Sequence, residues 1–331
     1  MTFKTRFQRR ALLAMALSAS VLTLLGTRTT IAETYPDRPI TIVVPFAAGG
    51  GTDSIAREIG AHLQKKLGKP VVIENVGGGG GAIGASRVAE SDPDGYNLLF
   101  VTSTFVTHAA VDSSVPYDVN KDFTPIAQLG HGPLLVVVNK GVAPNTIQEL
   151  IAAAKDVPDD YAFASAGPGS INHLSGELFN QMTGTEILHI PYKGSGPATL
   201  DLVGGSVQLF FATVPTMLGQ VKAGEVKLLA TTGAERSSLF PDIPTVQEAG
   251  IQNFDVETWW GIVGPAGLPE PIVEKLNAAI NEVLEIETVK KRFVGEGASV
   301  TQDKPGKLGE TISTELTDWK TLVGEAGIKA K

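Results

Sequence analysis

The sequence predicts an α/β protein made of two similar halves that share a cleft. Short apolar runs with the character of strands alternate with amphipathic segments at helical spacing. This order is typical of parallel sheets with right-handed crossovers. The same order begins again near residue 134, and no low-complexity linker separates the two halves. We therefore expect two lobes around a common cleft.

The first half is predicted from strands, glycine-rich turns and helices. Ile40 to Pro45 is a continuous apolar run, as expected for a strand buried on both faces. Apolar residues at helical spacing then predict a helix that ends at Gly68. The other predicted elements are a strand at 71–74, a glycine run at 77–81, a helix at 82–91 and a strand at 98–102.

The second half repeats this order. Thr146 is the expected N-cap of its first helix. The predicted elements are strands at 134–138, 161–166 and 185–190, helices at 146–154, 171–183 and 198–203, and strands near Leu209 and Leu228. A strand at 259–263 and two amphipathic helices, at 272–283 and 308–322, complete the chain.

The first 32 residues predict export from the cytoplasm. A basic segment that includes Arg9 and Arg10 precedes an apolar run from Ala11 to Gly26, and cleavage is expected after Ala32. This is the layout of a secretory signal peptide, and the apolar run is too short for a stable membrane span. The paired arginines leave a twin-arginine signal open as the alternative to an ordinary one. The expected location is the periplasm of a Gram-negative bacterium.

The composition argues against several classes of function. The 331 residues include 27 Lys and Arg, 35 Asp and Glu and no cysteine, for a formal charge of −8. Without residues 1–32, 22 basic residues remain against 35 acidic ones, a charge of −13. Such an acidic protein is not expected to bind nucleic acid or anionic lipid. The lack of cysteine excludes a thiol nucleophile and a thiolate metal site.

Two glycine-rich turns predict anion-binding sites. The first strand leads into residues 46–53 and the strand at 161–166 leads into 167–170, and a helix follows each turn. The first N–H groups of a helix have no backbone partner and lie at the positive end of its dipole, so they can hold an anion without a basic side chain. The two sites, one in each half, would together bind the two ends of a dicarboxylate, or a carboxylate and a polar tail. The alternative is that Asp53 and Ser170 only cap their helices.

The signals for an enzyme are poor. The glycines at 79, 81 and 84 match part of a dinucleotide-binding fingerprint, but no acidic residue follows the next strand. The five histidines lack the paired spacing of a zinc site. Ser170 lacks the G-x-S-x-G turn of serine hydrolases, so an exported hydrolase that uses Ser170 stays only as a remote alternative.

Several longer stretches resemble the tripartite tricarboxylate transporter family of solute-binding receptors, also called the Bug family. The similarity runs from Tyr35 to the last predicted helix. The stretches that carry it are Pro45–Phe46 with Gly49–Asp53, Glu74–Asn75 with the glycine run, Gly167-x-Gly169-Ser170-x-x-His173-Leu174, Pro191–Ala198 and Pro241–Gly250.

The resemblance implies a type II Venus-flytrap fold, the two-lobed fold of periplasmic binding proteins, with a mixed, mostly parallel sheet in each lobe. The expected boundaries are 33–133 plus 255–331 for the first lobe and 134–254 for the second. The implied function is that of a monomeric, non-enzymatic receptor that captures a small carboxylate for two integral membrane transporter subunits. A receptor that passes its signal to a membrane sensor stays open as the alternative.

The resemblance also places the ligand carboxylates at the two glycine-rich turns. Ala47-Ala48 stands where prolines are usual in the family, and Ala212-Thr213 stands where many members have Asp-Asn. An ammonium-bearing ligand is therefore disfavoured, and a dicarboxylate or an aromatic carboxylate is expected. No catalytic, cofactor-binding or metal-binding residue is expected. The predicted ligand-binding residues are Phe46, Ala48, Gly49, Gly50, Thr52, Asp53, Ser103, Thr104, Gly167, Gly169, Ser170, Asn172, Tyr192 and Thr213.

Overall fold

The structure, a computed structural model, describes residues 35–49 and 51–328. The chain divides into two units, Met1–Asp37 and Arg38–Lys331. The described residues of the first unit are 35–37, and they include a cis peptide bond between Tyr35 and Pro36. The predicted signal peptide at 1–32 lies outside the described residues. The fold described below is that of the second unit.

The second unit alternates strands and helices, as the sequence predicts. Its described strands are β1 (Ile40–Val44), β2 (Val71–Asn75), β3 (Asn97–Thr102), β4 (Phe123–Asn139), β5 (Ala162–Ser165), β6 (Leu188–Pro191), β7 (Leu209–Thr213), β8 (Val226–Thr231), β9 (Glu257–Pro265) and β10 (Ser299–Val300). Its described helices are α1 (Gly51–Leu67), α2 (Ala82–Ala89), α3 (Ser103–Val111), α4 (Ile147–Asp156), α5 (Ile171–Thr183), α6 (Ser195–Gly204), α7 (Val214–Ala223), α8 (Glu270–Leu284), α9 (Glu287–Gly295) and α10 (Pro305–Ala326).

The ten described strands form one mixed sheet that changes partners along β4. Phe123–Pro133 pairs antiparallel with β9, whereas Leu134–Asn139 pairs antiparallel with β7 and β8. On one side of this change, which we call the first section, β1 runs parallel to β2 and β3. On the other side, the second section, β5 runs parallel to β6 and β7. The predicted α/β class with a mixed sheet is confirmed.

Helices cover both sections, which explains why the central strands are continuous apolar runs. Leu98, Leu99, Phe100 and Val101 of β3 are all fully buried. Side chains of α2, α3 and α10 pack on the first section, and those of α4, α5, α6 and α7 pack on the second. Among the helices that the structure describes, none is both long and apolar enough to cross a membrane.

Helices follow the parallel strands, and four of these strand–helix junctions position the candidate site. In the first section α1 follows β1 and α3 follows β3; in the second, α5 follows β5 and α7 follows β7. Strands β1 and β3 are parallel neighbours, and so are β5 and β7. The carboxyl ends of parallel neighbours lie at the same edge of a sheet, where α/β proteins bind ligands. Two helix N-termini therefore lie together in each section.

Candidate functional site

Asp53 organises the α1 junction. Its carboxylate accepts hydrogen bonds from the Gly49 N–H at 2.9 Å, from Asn75 Nδ2 at 2.9 Å and from Arg57 Nε at 3.0 Å. Burial by itself raises the pKa of Asp53, but the bonds from Arg57, Gly49 and Asn75 outweigh burial and hold the pKa below its usual range. The loop before α1 is thus closed by a buried charge whose partners lie within the protein.

The other predicted residues of this loop differ in exposure. Ala48 and Gly49 are exposed, and Phe46 and Thr52 are partly exposed. Gly49 has a φ of +88°, a conformation that suits glycine. The Phe46 carbonyl accepts a hydrogen bond from Asn75 Nδ2 at 3.1 Å, which ties the loop to the end of β2. Gly50 lies outside the described residues.

Ser170 caps α5 at the second predicted site. Its Oγ donates to the Gly167 carbonyl at 2.7 Å and accepts the His173 N–H at 3.3 Å. Gly167 and Gly169 both have positive φ, +125° and +75°, and the Gly169 N–H donates to His173 Nδ1 at 3.2 Å. The Ser170 hydroxyl is therefore committed to the cap, so its part in an anion site is to hold the loop that presents the backbone N–H groups.

Asn172 and Tyr192 are also held by protein partners. Asn172 Nδ2 donates to the Phe211 carbonyl at 2.6 Å and ties the first turn of α5 to β7. The Tyr192 hydroxyl donates to Asp201 Oδ2 at 2.7 Å. Burial, together with Asp201, raises the pKa of Tyr192 to about 12, so the phenol stays protonated at physiological pH. The structure thus turns the Tyr192 hydroxyl toward α6, while the Tyr192 carbonyl lies beside Gly167.

The remaining predicted residues begin two helices that the sequence analysis did not predict. Ser103 and Thr104 are the first residues of α3, and Thr213 is the N-cap of α7. Ser103 is fully buried, and its hydroxyl pairs with that of Thr258 on β9 at 3.1 Å. Thr213 is partly exposed, and its hydroxyl pairs with Thr216 at 2.8 Å. Helix starts at Ser103 and after Thr213 add two further anion-attracting dipole ends to the two that were predicted.

The two sections contact each other at two places near their strand–helix junctions. Thr107 Oγ1 on α3 donates to the Gly169 carbonyl before α5 at 2.7 Å. A Cβ on Gly51, the first residue of α1, would lie 2.8 Å from Pro215 Cβ on α7. The N-terminus of α1 therefore faces that of α7, whereas the loop before α5 packs on the second half of α3, at Thr107, His108 and Val111. Such a cleft can hold an anion on backbone N–H groups from both sides.

Replacing Asp53 by asparagine is expected to destabilise the protein by about 2 kcal/mol, since the new amide would place an N–H group against donors that now bind the carboxylate. Urea denaturation at pH 7 measures the change. Asp92→Asn, at an exposed position of the same section, is the control and should have little effect. Equal stability of Asp53→Asn and wild type would show that the network around the α1 junction is not needed.

His173, Glu177 and His189 form a cluster whose ligand atoms lie within 4.8 Å of one another. The two imidazole rings stack with centroids 3.9 Å apart and planes 17° apart. Rings stacked in this way direct their in-plane lone pairs along parallel lines instead of toward one ion. His173 Nδ1 already binds Gly169, and His189 Nε2 already binds the Ser165 hydroxyl at 2.7 Å. The cluster therefore supports the loop before α5, and we assign no metal to it.

The fold defines the class of protein: a two-lobed α/β sheet of this kind is that of the periplasmic binding proteins. The family model described as tripartite tricarboxylate transporter family receptor matches residues 55–328. The chain therefore belongs to this family of non-enzymatic binding proteins, as the resemblance implied.

Known relatives cover nearly the whole chain. Protein BugT of Bordetella pertussis is 39% identical over 302 residues, which are 91% of this chain and 93% of BugT. An R. palustris protein solved with adipate is 34% identical with a TM-score of 0.83, and the match covers 89% of this chain and 99% of that one. MatC from Rhodopseudomonas palustris, solved with bound malate, is 36% identical with a TM-score of 0.80, over 87% of this chain and 100% of MatC.

Proposed function

We propose that the protein is a periplasmic receptor that captures a small carboxylate, either a dicarboxylate or an aromatic carboxylate, and delivers it to a membrane transporter of the tripartite tricarboxylate type. The observation that carries this proposal is the contact between the N-termini of α1 and α7 across the two sections, together with the loop before α5, which packs on α3. The first N–H groups of these helices have no helical partner, and the positive ends of the helix dipoles attract an anionic group.

The attraction to an anion must be local, because the whole chain has a formal charge of −8. A hydrogen bond to a charged group contributes about 1.5–3 kcal/mol net. Micromolar affinity requires about 8 kcal/mol, so about four to six such bonds are sufficient once the costs of ordering the ligand and the loops are included. Two carboxylate groups bound by backbone N–H groups at the strand–helix junctions would use that number of donors.

We propose that the ligand is enclosed when a first lobe, residues 33–133 plus 255–331, closes on a second lobe, residues 134–254. The change of partners along β4 between Pro133 and Leu134 and the start of β9 at Glu257 support these limits. Of the predicted residues, Ala48, Gly49 and Thr52 are open to a ligand at the α1 junction. Asp53, Ser170, Asn172 and Tyr192 would shape the site through their protein contacts.

We propose that the receptor acts as a monomer and docks on two integral membrane subunits. The family assignment supports a transporter partner and a periplasmic location. The basic and apolar pattern of residues 1–32 supports export. The malate and adipate found with two relatives support a ligand that carries two carboxylates.

Thermal unfolding of residues 33–331 with a panel of acids tests the proposal. The panel contains dicarboxylates of four to six carbons and substituted benzoates, and the uncharged diamides of the same skeletons are the controls. A ligand that binds only the folded state at about 100 times its Kd adds about 2.7 kcal/mol of stability, so the midpoint should rise with an acid and not with its diamide.

Two further measurements accompany the panel. The radius of gyration from solution scattering should fall when the stabilising acid is added, because the lobes close around it. Mass spectrometry should recover that acid unchanged, because the receptor performs no reaction on it. A panel in which no carboxylate stabilises the protein, or a recovered ligand that has been hydrolysed, would contradict the proposed function.

A further inference from the structure

Glu296 lies in the turn between α9 and β10, close to the strand that links the two sections. The Glu296 N–H group donates hydrogen bonds to the carbonyls of Arg292 and Phe293, and these bonds end α9. Directly after it, β10 pairs with β4, with Ser299 opposite His131. The backbone of this turn is therefore fixed to β4 at the boundary between the sections.

The Glu296 side chain reaches the α1 and α7 junctions. Its Oε2 lies 3.3 Å from the position that a Cβ would take on Gly51, and Pro215 Cβ lies 2.8 Å from the same position. The following residue, Gly297, packs against the first residue of α7, since a Cβ there would lie 2.5 Å from Val214 Cγ2. The carboxylate thus stands where one pair of helix N-termini from the two sections meets.

Among the described residues, none donates a hydrogen bond to the Glu296 carboxylate. The Asp53 carboxylate, in contrast, accepts hydrogen bonds from Gly49, Arg57 and Asn75. The Glu296 side chain is partly buried, and burial raises its pKa while the charge of Arg292 opposes that rise. Removing a carboxylate from water without giving it a hydrogen bond costs free energy. A donor group on a bound molecule would recover that free energy.

We infer that Glu296 is a specificity-determining residue, and that it accepts a hydrogen bond from a hydroxyl or ammonium group carried by the captured acid. The inference rests on the proposed function, because it assigns the helix N-termini to the carboxylates of the ligand and Glu296 to a substituent beside them. The α7 junction has no acidic side chain of its own at these positions, since the strand before it ends in Ala212-Thr213. Glu296 would supply a carboxylate to the same cleft from a different element of the fold.

Matched acids separate the donor from the rest of the ligand. Succinate, malate and aspartate share one skeleton and carry no substituent, a hydroxyl and an ammonium group, respectively. Glutarate, 2-hydroxyglutarate and glutamate form a second set, and adipate with 2-aminoadipate a third. Isothermal titration of residues 33–331 with each set at pH 7.5 should show that, for the skeleton that binds, an acid with a donor binds about 10-fold or more tightly than the acid without one.

Two substitutions then test Glu296 itself. In Glu296→Ala the preference for a donor should disappear, whereas the affinity for the unsubstituted acid should hold or rise. Glu296→Gln keeps a neutral acceptor, so a preference for the hydroxyl acid should remain and a preference for the ammonium acid should fall. Glu287→Ala is the matched control, because Glu287 lies exposed at the other end of α9. A urea melt of each variant verifies that it is folded.

The outcomes distinguish this inference from the function on which it rests. If no acid of any set binds to wild type, the proposed function fails and the inference fails with it. If acids bind equally well with and without a donor, the inference alone is wrong. The same holds if folded Glu296→Ala keeps the preference of wild type. Loss of the preference in Glu296→Ala and not in Glu287→Ala would establish the assignment.

Discussion

Replacing Glu315 by glutamine is expected to stabilise the protein by up to about 3 kcal/mol at pH 8 and to change its stability little at pH 5. Glu315 lies on α10, where Oε1 accepts the Trp259 Nε1–H at 2.8 Å and Oε2 is buried without a hydrogen-bond partner. Burial raises the pKa of Glu315 to about 7, and the hydrogen bond from Trp259 opposes that rise only in part. The nearby charges of Asp318 and Glu257 add to it.

The direction of the effect follows from proton linkage. The unfolded chain loses the Glu315 proton near the ordinary pKa of 4.5, and the folded protein loses it near 7. Between these values the folded state holds the extra proton, so its stability falls as the pH rises, and the full loss is present above pH 7. Glutamine is neutral throughout and keeps an oxygen that can accept from Trp259, so the variant avoids this loss.

Equilibrium urea denaturation of wild type and Glu315→Gln at pH 5 and pH 8 measures the difference. Glu310→Gln serves as the control, because Glu310 lies on the same helix with a side chain that is 73% exposed, and it should follow wild type at both pH values. If Glu315→Gln also follows wild type at pH 8, then Glu315 ionises in the folded protein as it does in water, and the burial argument is wrong.

The strands and helices with a regular pattern could be predicted from the sequence. Strand β1 and helices α1, α5, α8 and α10 lie where apolar periodicity places them. Helix α3 was missed because Ser103–Val111 continues the apolar run of β3 and contains β-branched residues, so periodicity alone does not separate it from a longer strand. Helix α7 did carry a signal: Thr213 is a good N-cap and Pro215 lies in the first turn.

The first part of β4 shows why other features depend on distant residues. Pro125, Gly130 and Gly132 interrupt the strand pattern in the sequence, yet this segment pairs with β9 through two irregularities in register. A Cβ on Gly130 would lie 2.4 Å from the Ser299 carbonyl oxygen, so glycine allows β10 to approach. A sequence pattern in residues 123–133 contains no information about Ser299.

The general nature of the candidate site could be predicted from the sequence, but its detailed contacts could not. The glycine-rich turns before α1 and α5 are predicted anion sites, and the structure shows a helix N-terminus at each. The partners of Asp53, the contact of Gly51 with Pro215 and the position of Glu296 join segments that are far apart in the chain. Only the fold brings these residues together, so no local pattern could assign their roles.

The substitution Gly51→Ala is expected to weaken ligand binding by about 10- to 100-fold, because it places a methyl group in the contact between α1 and α7. The new Cβ would lie 2.8 Å from Pro215 Cβ and 2.9 Å from its Cγ. A proline ring cannot rotate away, so the two junctions must move apart, and overpacking of this kind costs about 1–3 kcal/mol. The φ of Gly51 is not in the positive range, so alanine causes no backbone strain there.

The effect should fall on closure and not on folding. In the proposed opening of the lobes Gly51 and Pro215 part, so the ligand-free variant should unfold in urea like wild type. With the acid that binds wild type, titration calorimetry should show the weaker affinity, and solution scattering should show a smaller decrease in radius. Gly219→Ala is the control, because Gly219 lies on α7 with no atom within 4 Å of the new methyl group. Wild-type affinity and compaction in Gly51→Ala would mean that the ligand is held without contact between α1 and α7, which would contradict a site between these two junctions.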